Sequence, residues 1–181
     1  METINDKVVP KLSTTGKGSW QTYNHPFTPT LQQIKTGEGE ETKTIPYARI
    51  SIIIRGVGLN RNATLAAINK LPAEISLAFS PYAKGMEEWA SLARGAGHET
   101  LMSLPMEPVD FPALDPGPLS LLTDLKTEEN ISRLHAIMNL SQAYIGLVQH
   151  MGSRFVTSEA AFKPIIKILK DRGLLYIDDG M

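Results

Sequence analysis

The sequence specifies an α/β protein built on a parallel sheet, and three observations predict it. Short apolar runs rich in β-branched residues recur from residue 47 onward. Segments with apolar residues at helical spacing separate them. Residues able to do chemistry gather just after the apolar runs, where parallel α/β folds keep their sites. Three phrases carry those residues: SLPMEP (Ser103 to Pro108), QHMGSR (Gln149 to Arg154) and YIDDGM (Tyr176 to Met181). Folding would bring Glu107, His150, Asp178 and Asp179 to one rim, although more than 70 residues separate the first from the last.

The elements follow in order. Residues 1–46 hold many Pro, Gly and Thr and little apolar periodicity, so they read as an irregular N-terminal arm or linker. WQTYNHPF (Trp20 to Phe27) is the aromatic cluster of this stretch and the part able to anchor it. KTGEGEETKT (Lys35 to Thr44) is polar and glycine-bearing and reads as mobile. The domain proper is expected over residues 47–181. Ala48 to Ile54 is a continuous apolar run expected to be a buried strand. Asn60 to Pro72 is a helix stopped by its proline. Glu74 to Pro81 is a second strand. Ala83 to Gly97 is a helix with Met86, Trp89, Ala90 and Ala93 on one face and glycines at its end. Glu99 to Glu107 is a third strand.

A loop punctuated by Pro108, Pro112, Pro116 and Pro118 comes next, too stiff to be helical. Loops of this length without secondary structure are commonly functional. Thr127 to Leu140 is a helix with Thr127 as N-cap and Glu128 and Glu129 in the first turn. Ala143 to Met151 is a fourth strand. Ser158 to Arg172 is a helix in which Pro164 predicts a kink or a late start. Leu174 to Asp179 is a fifth strand. Five strands alternating with four helices demand parallel pairing and right-handed crossovers. An open doubly wound sheet and part of a β/α barrel both satisfy that pattern.

Composition excludes several functions. The net charge is −1 with Lys and Arg dispersed, so the basic stripe of a nucleic-acid binder is missing. No apolar run reaches the length of a membrane span, and METINDKVVPKL lacks the apolar stretch of a signal peptide. With no cysteine, disulfides and thiolate metal sites are excluded. The last strand closes in IDDGM with nothing behind it. The chain is therefore expected to be a fragment, truncated at its C-terminus and lacking an upstream anchor.

The phrases say more than the pattern. In order they are an apolar strand with a GVGLN turn, then LAFSPY, GHE, LPMEP, DPGP with LLTD, HMGSR and RGLLYIDDG. As an ordered set, from about Ala48 to Met181, they resemble the divergent polysaccharide deacetylase family, relatives of the NodB-like carbohydrate deacetylases. The resemblance implies a distorted parallel β/α barrel with a sugar-facing rim. It also implies a carbohydrate partner in the cell envelope and a periplasmic or envelope-associated full-length protein. In active relatives a divalent metal such as zinc is held by an aspartate after the first strand and an HxxxH pair after the third. The metal polarises an acetyl carbonyl and acidifies a water, with a neighbouring carboxylate as base.

This chain departs from that pattern. The Asp-Asp position of divergent members reads Arg55-Gly56, and the two histidine positions read Ser103 and Glu107. No metal site is therefore expected, since Glu107 and His150 alone would make a poor zinc site. Arg55 instead places a permanent positive charge where a cation would sit, with Glu107 or Asp178 as its expected partner. Glu107, His150, Asp178 and Asp179 are the candidate catalytic residues. Arg55, Tyr82, Ser103 and Arg154 are the candidate substrate-binding residues.

Each has a plainer reading beside it. Glu107 could cap loop backbone, Arg154 could bond loop carbonyls, and Tyr82 could be a rim tyrosine rather than a sugar-stacking ring. The Asp178-Asp179 pair could simply start a loop, and strand alternation aims only one of them inward. His98 precedes its strand and belongs to the opposite end, where it would cap a turn. His135 sits within a helix, and His25 belongs to the arm. Two functions stay open: a deacetylase acting on an acetylated envelope carbohydrate, or a non-catalytic carbohydrate-binding or envelope scaffold domain that uses the proline-rich loop.

Overall fold

A computed structural model of the chain describes residues 2–4, 7–23, 31–36 and 41–180. His25 with its neighbours Asn24 to Phe27, the Gly37 to Glu40 part of the polar segment, and Met181 lie outside the described residues. Within the stretch read as irregular, strands β1 (Glu2–Ile4) and β2 (Lys7–Val9) pair antiparallel, as do β3 (Leu31–Thr36) and β4 (Glu41–Pro46). The short helix α1 (Ser19–Tyr23) lies between the two hairpins.

From Ile53 the chain runs β5 (Ile53–Val57), α2 (Arg61–Lys70), β6 (Ser76–Phe79), α3 (Met86–Gly95) and β7 (Thr100–Met106). It continues with α4 (Thr127–Met138), β8 (Gly146–Met151), a 3₁₀ turn at Phe155–Thr157, α5 (Glu159–Asp171) and β9 (Leu175–Ile177). The five strands pair in sequence order, every pair parallel, which bears out the strand–helix alternation. Period-2 alternation sorts their side chains onto two faces. Leu77, Phe79, Met102, Leu104, Met106 and Leu147 face the helices and form the main core with Trp89, Leu134, Ile137, Ile165 and Leu169. Ala78, Leu101, Ile145 and Val148, with Ile53, Leu175 and Ile177 against them, form a second cluster on the opposite, inner face.

Boundaries moved for identifiable reasons. The first strand was expected from Ala48 but starts at Ile53, because its ladder with β6 begins opposite Ser76, whose N–H donates to the Ile52 carbonyl at 3.0 Å just before it. Being at the sheet edge, β5 is also only alternately covered: Ile53 and Arg55 are partly buried and Val57 is buried, whereas Ile54 is 36% exposed. At α4 the N-cap is Lys126, not Thr127. The Glu129 carboxylate accepts the Lys126 backbone N–H at 3.3 Å and so fixes the helix start one residue earlier. Helix α5 begins at Glu159, so Pro164 does not delay it.

The arm is fastened to the end of the barrel opposite the rim. The Ser19 N–H donates to the Gly173 carbonyl at 3.1 Å, and Arg172 Nη1 donates to the Pro10 carbonyl at 3.4 Å. Gly173 closes α5 at φ +64°, and a Cβ there would sit 2.4 Å from the Gly18 Cα, so two glycines permit this crossing. His98 lies at the same end, as its place before a strand implied. It is buried, with Nδ1 2.8 Å from the Ile75 carbonyl oxygen and Nε2 3.1 Å from that of Ile68.

Candidate functional site

At the C-terminal rim, strand alternation decides which side chains meet. Ile53, Val148 and Ile177 face inward, so two residues further on Arg55, His150 and Asp179 share that face. Local backbone sharpens the aim. The β5–β6 register shifts between Ile54 and Val57, where Gly56 takes φ +72°, so Arg55 sits on a bulge. Strand β8 ends through Met151 at φ +59° and Gly152 at φ +93° immediately after His150. A non-glycine residue in that region is costly and is commonly found at sites.

The three residues join. Arg55 Nη1 donates to Asp179 Oδ2 at 2.5 Å, and Arg55 Nη2 lies 2.7 Å from His150 Nδ1. Arg55 and Asp179 belong to opposite edges of a five-stranded sheet. In a flat sheet four strand spacings would hold them roughly 19 Å apart. One side chain cannot span that distance, so the sheet curls and the fold is an arc of a distorted barrel.

The geometry sets the protonation of His150. Burial, then the Arg55 charge, hold its pKa below the ordinary histidine range against the opposing pull of Asp179. A guanidinium has no lone pair to offer, so His150 Nδ1 accepts and the neutral ring carries its proton on Nε2. His150 therefore presents a donor to the rim, not a base. Of the two aspartates, only Asp179 turns inward. Asp178 is exposed and accepts the Gly180 N–H at 2.8 Å. The expected partners of Arg55 are thus corrected: Asp179 and His150 hold it, not Glu107 or Asp178. Tyr176, on the helix-facing side of β9, donates to Gln149 Oε1 at 2.7 Å. Burial, then the charges of Asp178 and Asp179, push the Tyr176 hydroxyl pKa up.

Glu107 forms a separate cluster. It is buried, and Oε2 accepts from the Thr123 N–H at 2.5 Å and the Thr123 hydroxyl at 2.7 Å. Arg154 Nη1 approaches Oε1 at 3.1 Å, and the Glu107 carbonyl accepts the N–H groups of Arg154 and Phe155. Leu121 completes the seam, bridging to Met106 and accepting the Glu107 N–H at 2.9 Å. Glu107 thereby ties the loop after β7 to the loop after β8. Both of its plain and functional readings place it at the rim, but its oxygens are engaged by loop donors.

Ser103 is buried at mid-strand on the inner face. Tyr82 is 37% exposed, and its hydroxyl accepts the Leu119 N–H at 3.2 Å. Its ring covers Gly117, where a Cβ would come within 2.6 Å of the phenol. Tyr82 thus clamps the proline-rich loop while staying partly exposed. Thr123 and the Gln149–Tyr176 pair went unnoticed in the sequence. Thr123 stands inside the LLTD phrase, which was the available signal.

The metal that the resemblance implies does not fit these residues. Among the described residues no three His, Asp or Glu side chains converge to hold one. The two nearest donors, Asp179 Oδ2 and His150 Nδ1, both face the guanidinium of Arg55. No helix among the described residues is long and apolar enough to cross a membrane.

Comparison with known proteins agrees with this fold. A crystal structure of an uncharacterized protein, ATU2773 from Agrobacterium tumefaciens C58, superposes with a TM-score of 0.83 at 30% identity, over 96% of this chain and 65% of that one. The uncharacterized protein YibQ of Escherichia coli strain K12 is 26% identical over 133 residues, 72% of this chain and 40% of its own length. An uncharacterized Haemophilus influenzae protein is 27% identical over 131 residues, 72% of this chain and 46% of its own. The chain thus spans less than half the length of these curated relatives. The profile of the divergent polysaccharide deacetylases matches residues 52–181, which covers all five strands of the curled sheet, and the chain belongs to that family.

Proposed function

We propose that this domain binds an acetylated carbohydrate of the cell envelope at its rim and does not hydrolyse it. The observation that carries the reading is the Arg55 fork clamped between Asp179 and His150. Deacetylation needs a base beside an activated water. Here the imidazole offers Nε2–H, the Asp179 carboxylate is paired with a guanidinium, and Glu107 is consumed by Thr123 and Arg154. What remains is a set of donors: the spare N–H groups of Arg55 and the His150 Nε2–H. Such donors suit hydroxyl and acetyl carbonyl oxygens. Tyr82 and the half-exposed Arg154 border the same rim and would contact a longer glycan. The envelope, where such glycans occur, is the location that goes with this reading.

The test is isothermal titration of the purified domain with N-acetylated and fully deacetylated chito-oligosaccharides, alongside an acetate-release assay. The expected result is binding that favours the acetylated form, with no acetate released. Acetate release abolished by His150→Gln would replace this reading with the hydrolase. Absence of binding to every oligosaccharide would leave the scaffold role.

A further inference from the structure

We infer that Arg55 is a resident cation that takes the place of a divalent metal and keeps metal out of the rim. The inference is independent of what the rim binds. The donors on either side of the guanidinium are one carboxylate oxygen and one imidazole nitrogen, the atom types that ligate zinc. They stand 2.5 and 2.7 Å from its two terminal nitrogens, so a metal could reach them only by expelling the arginine. Arginine cannot step aside by losing its proton. Its side chain is 29% exposed and that of Asp179 13%, so water screens the pair only in part.

Charge bookkeeping points the same way. Arg55 at +1, Asp179 at −1 and a neutral His150 sum to zero. Adding a divalent ion would leave the cluster at +2 in a partly desolvated place. Arg55→Asp would change the sum to −2, which a divalent ion neutralises. It would also supply a third donor on the inner face, on the bulge that already aims residue 55 at the other two. Three protein ligands are the number that catalytic zinc sites use. One side chain therefore decides whether the rim carries an organic cation or a metal ion.

Two measurements test this. The wild-type domain is loaded with zinc, passed through a desalting column and assayed for metal per chain. Cobalt(II) is then titrated while the visible d–d absorption of a tetrahedral site is followed. The same is done with Arg55→Asp and with Arg55→His, which adds a neutral donor should the aspartate variant not fold. Folding is read by circular dichroism. The wild type should keep no zinc, and a folded variant should bind zinc at least about tenfold more tightly with a cobalt spectrum. His150→Gln in the variant background should abolish that gain. Stoichiometric zinc in the wild type would overturn the inference. So would folded variants that bind zinc no better than wild type, because Asp179 and His150 would then not converge on a metal position.

Discussion

Removing Glu107 should destabilise the domain as a buried structural carboxylate does. Its side chain is 2% exposed. Oε2 takes two donors from Thr123, at 2.5 and 2.7 Å, and hydrogen bonds to a charged acceptor contribute about 1.5–3 kcal/mol each. The Arg154 pair adds little, about 0–1 kcal/mol, because that guanidinium is 47% exposed and water replaces the carboxylate readily. In Glu107→Ala, water entering the gap recovers part of the Thr123 bonding, so the net loss should be about 3–4 kcal/mol. Glu107→Gln keeps the volume but turns charged acceptors into a neutral one, and should cost about 1.5–2.5 kcal/mol. Against a stability of about 5–15 kcal/mol these are large fractions. Urea unfolding followed by far-ultraviolet circular dichroism measures them as a lower midpoint at constant slope. A loss below about 1 kcal/mol in Glu107→Ala, or a gain, would refute the structural role. It would mark Glu107 instead as a strained site carboxylate, whose removal relieves the fold.

Two further outcomes follow from the same geometry. The His150 pKa is lowered on folding, so between that value and the ordinary value of about 6.5 the unfolded chain binds more protons than the folded one. The stability from this group is thus complete above about pH 6.5 and is lost as pH falls through the folded pKa. Urea midpoints at pH 7.5, 6 and 5 should decline less in His150→Gln than in wild type; parallel declines would show that His150 is not the group responsible. Tyr82→Phe removes the acceptor of the Leu119 N–H but keeps the ring over Gly117, so the loop should loosen by about 0.5–1.5 kcal/mol. Amide exchange at Leu119 should then quicken by about 3- to 10-fold, and an unchanged rate would mean that the hydroxyl does not hold the loop.

Much of this protein is written locally. Strand and helix order follow from apolar runs alternating with helical spacing, and these are short-range properties of the chain. The rim position of His150 and Asp179 follows too, because parallel strands point one way and their C-terminal ends share a face. The opposite location of His98 is legible for the same reason. The ordered phrases from LAFSPY to YIDDG carried the family.

Pairing across the barrel was not legible. The sequence offered Glu107 and Asp178 as partners for Arg55, since both end strands as Asp179 does. Two things decided between them: the parity of β9, which turns Asp179 inward, and the curl of the sheet, which brings its two edges within reach of one guanidinium. Neither is a local property. Glu107 was drawn away by Thr123, a residue 16 positions on that only the folded loop brings beneath it. Sequence fixes where a charge stands along a strand, while the low dielectric of a folded rim selects the partner that leaves no charge unpaired.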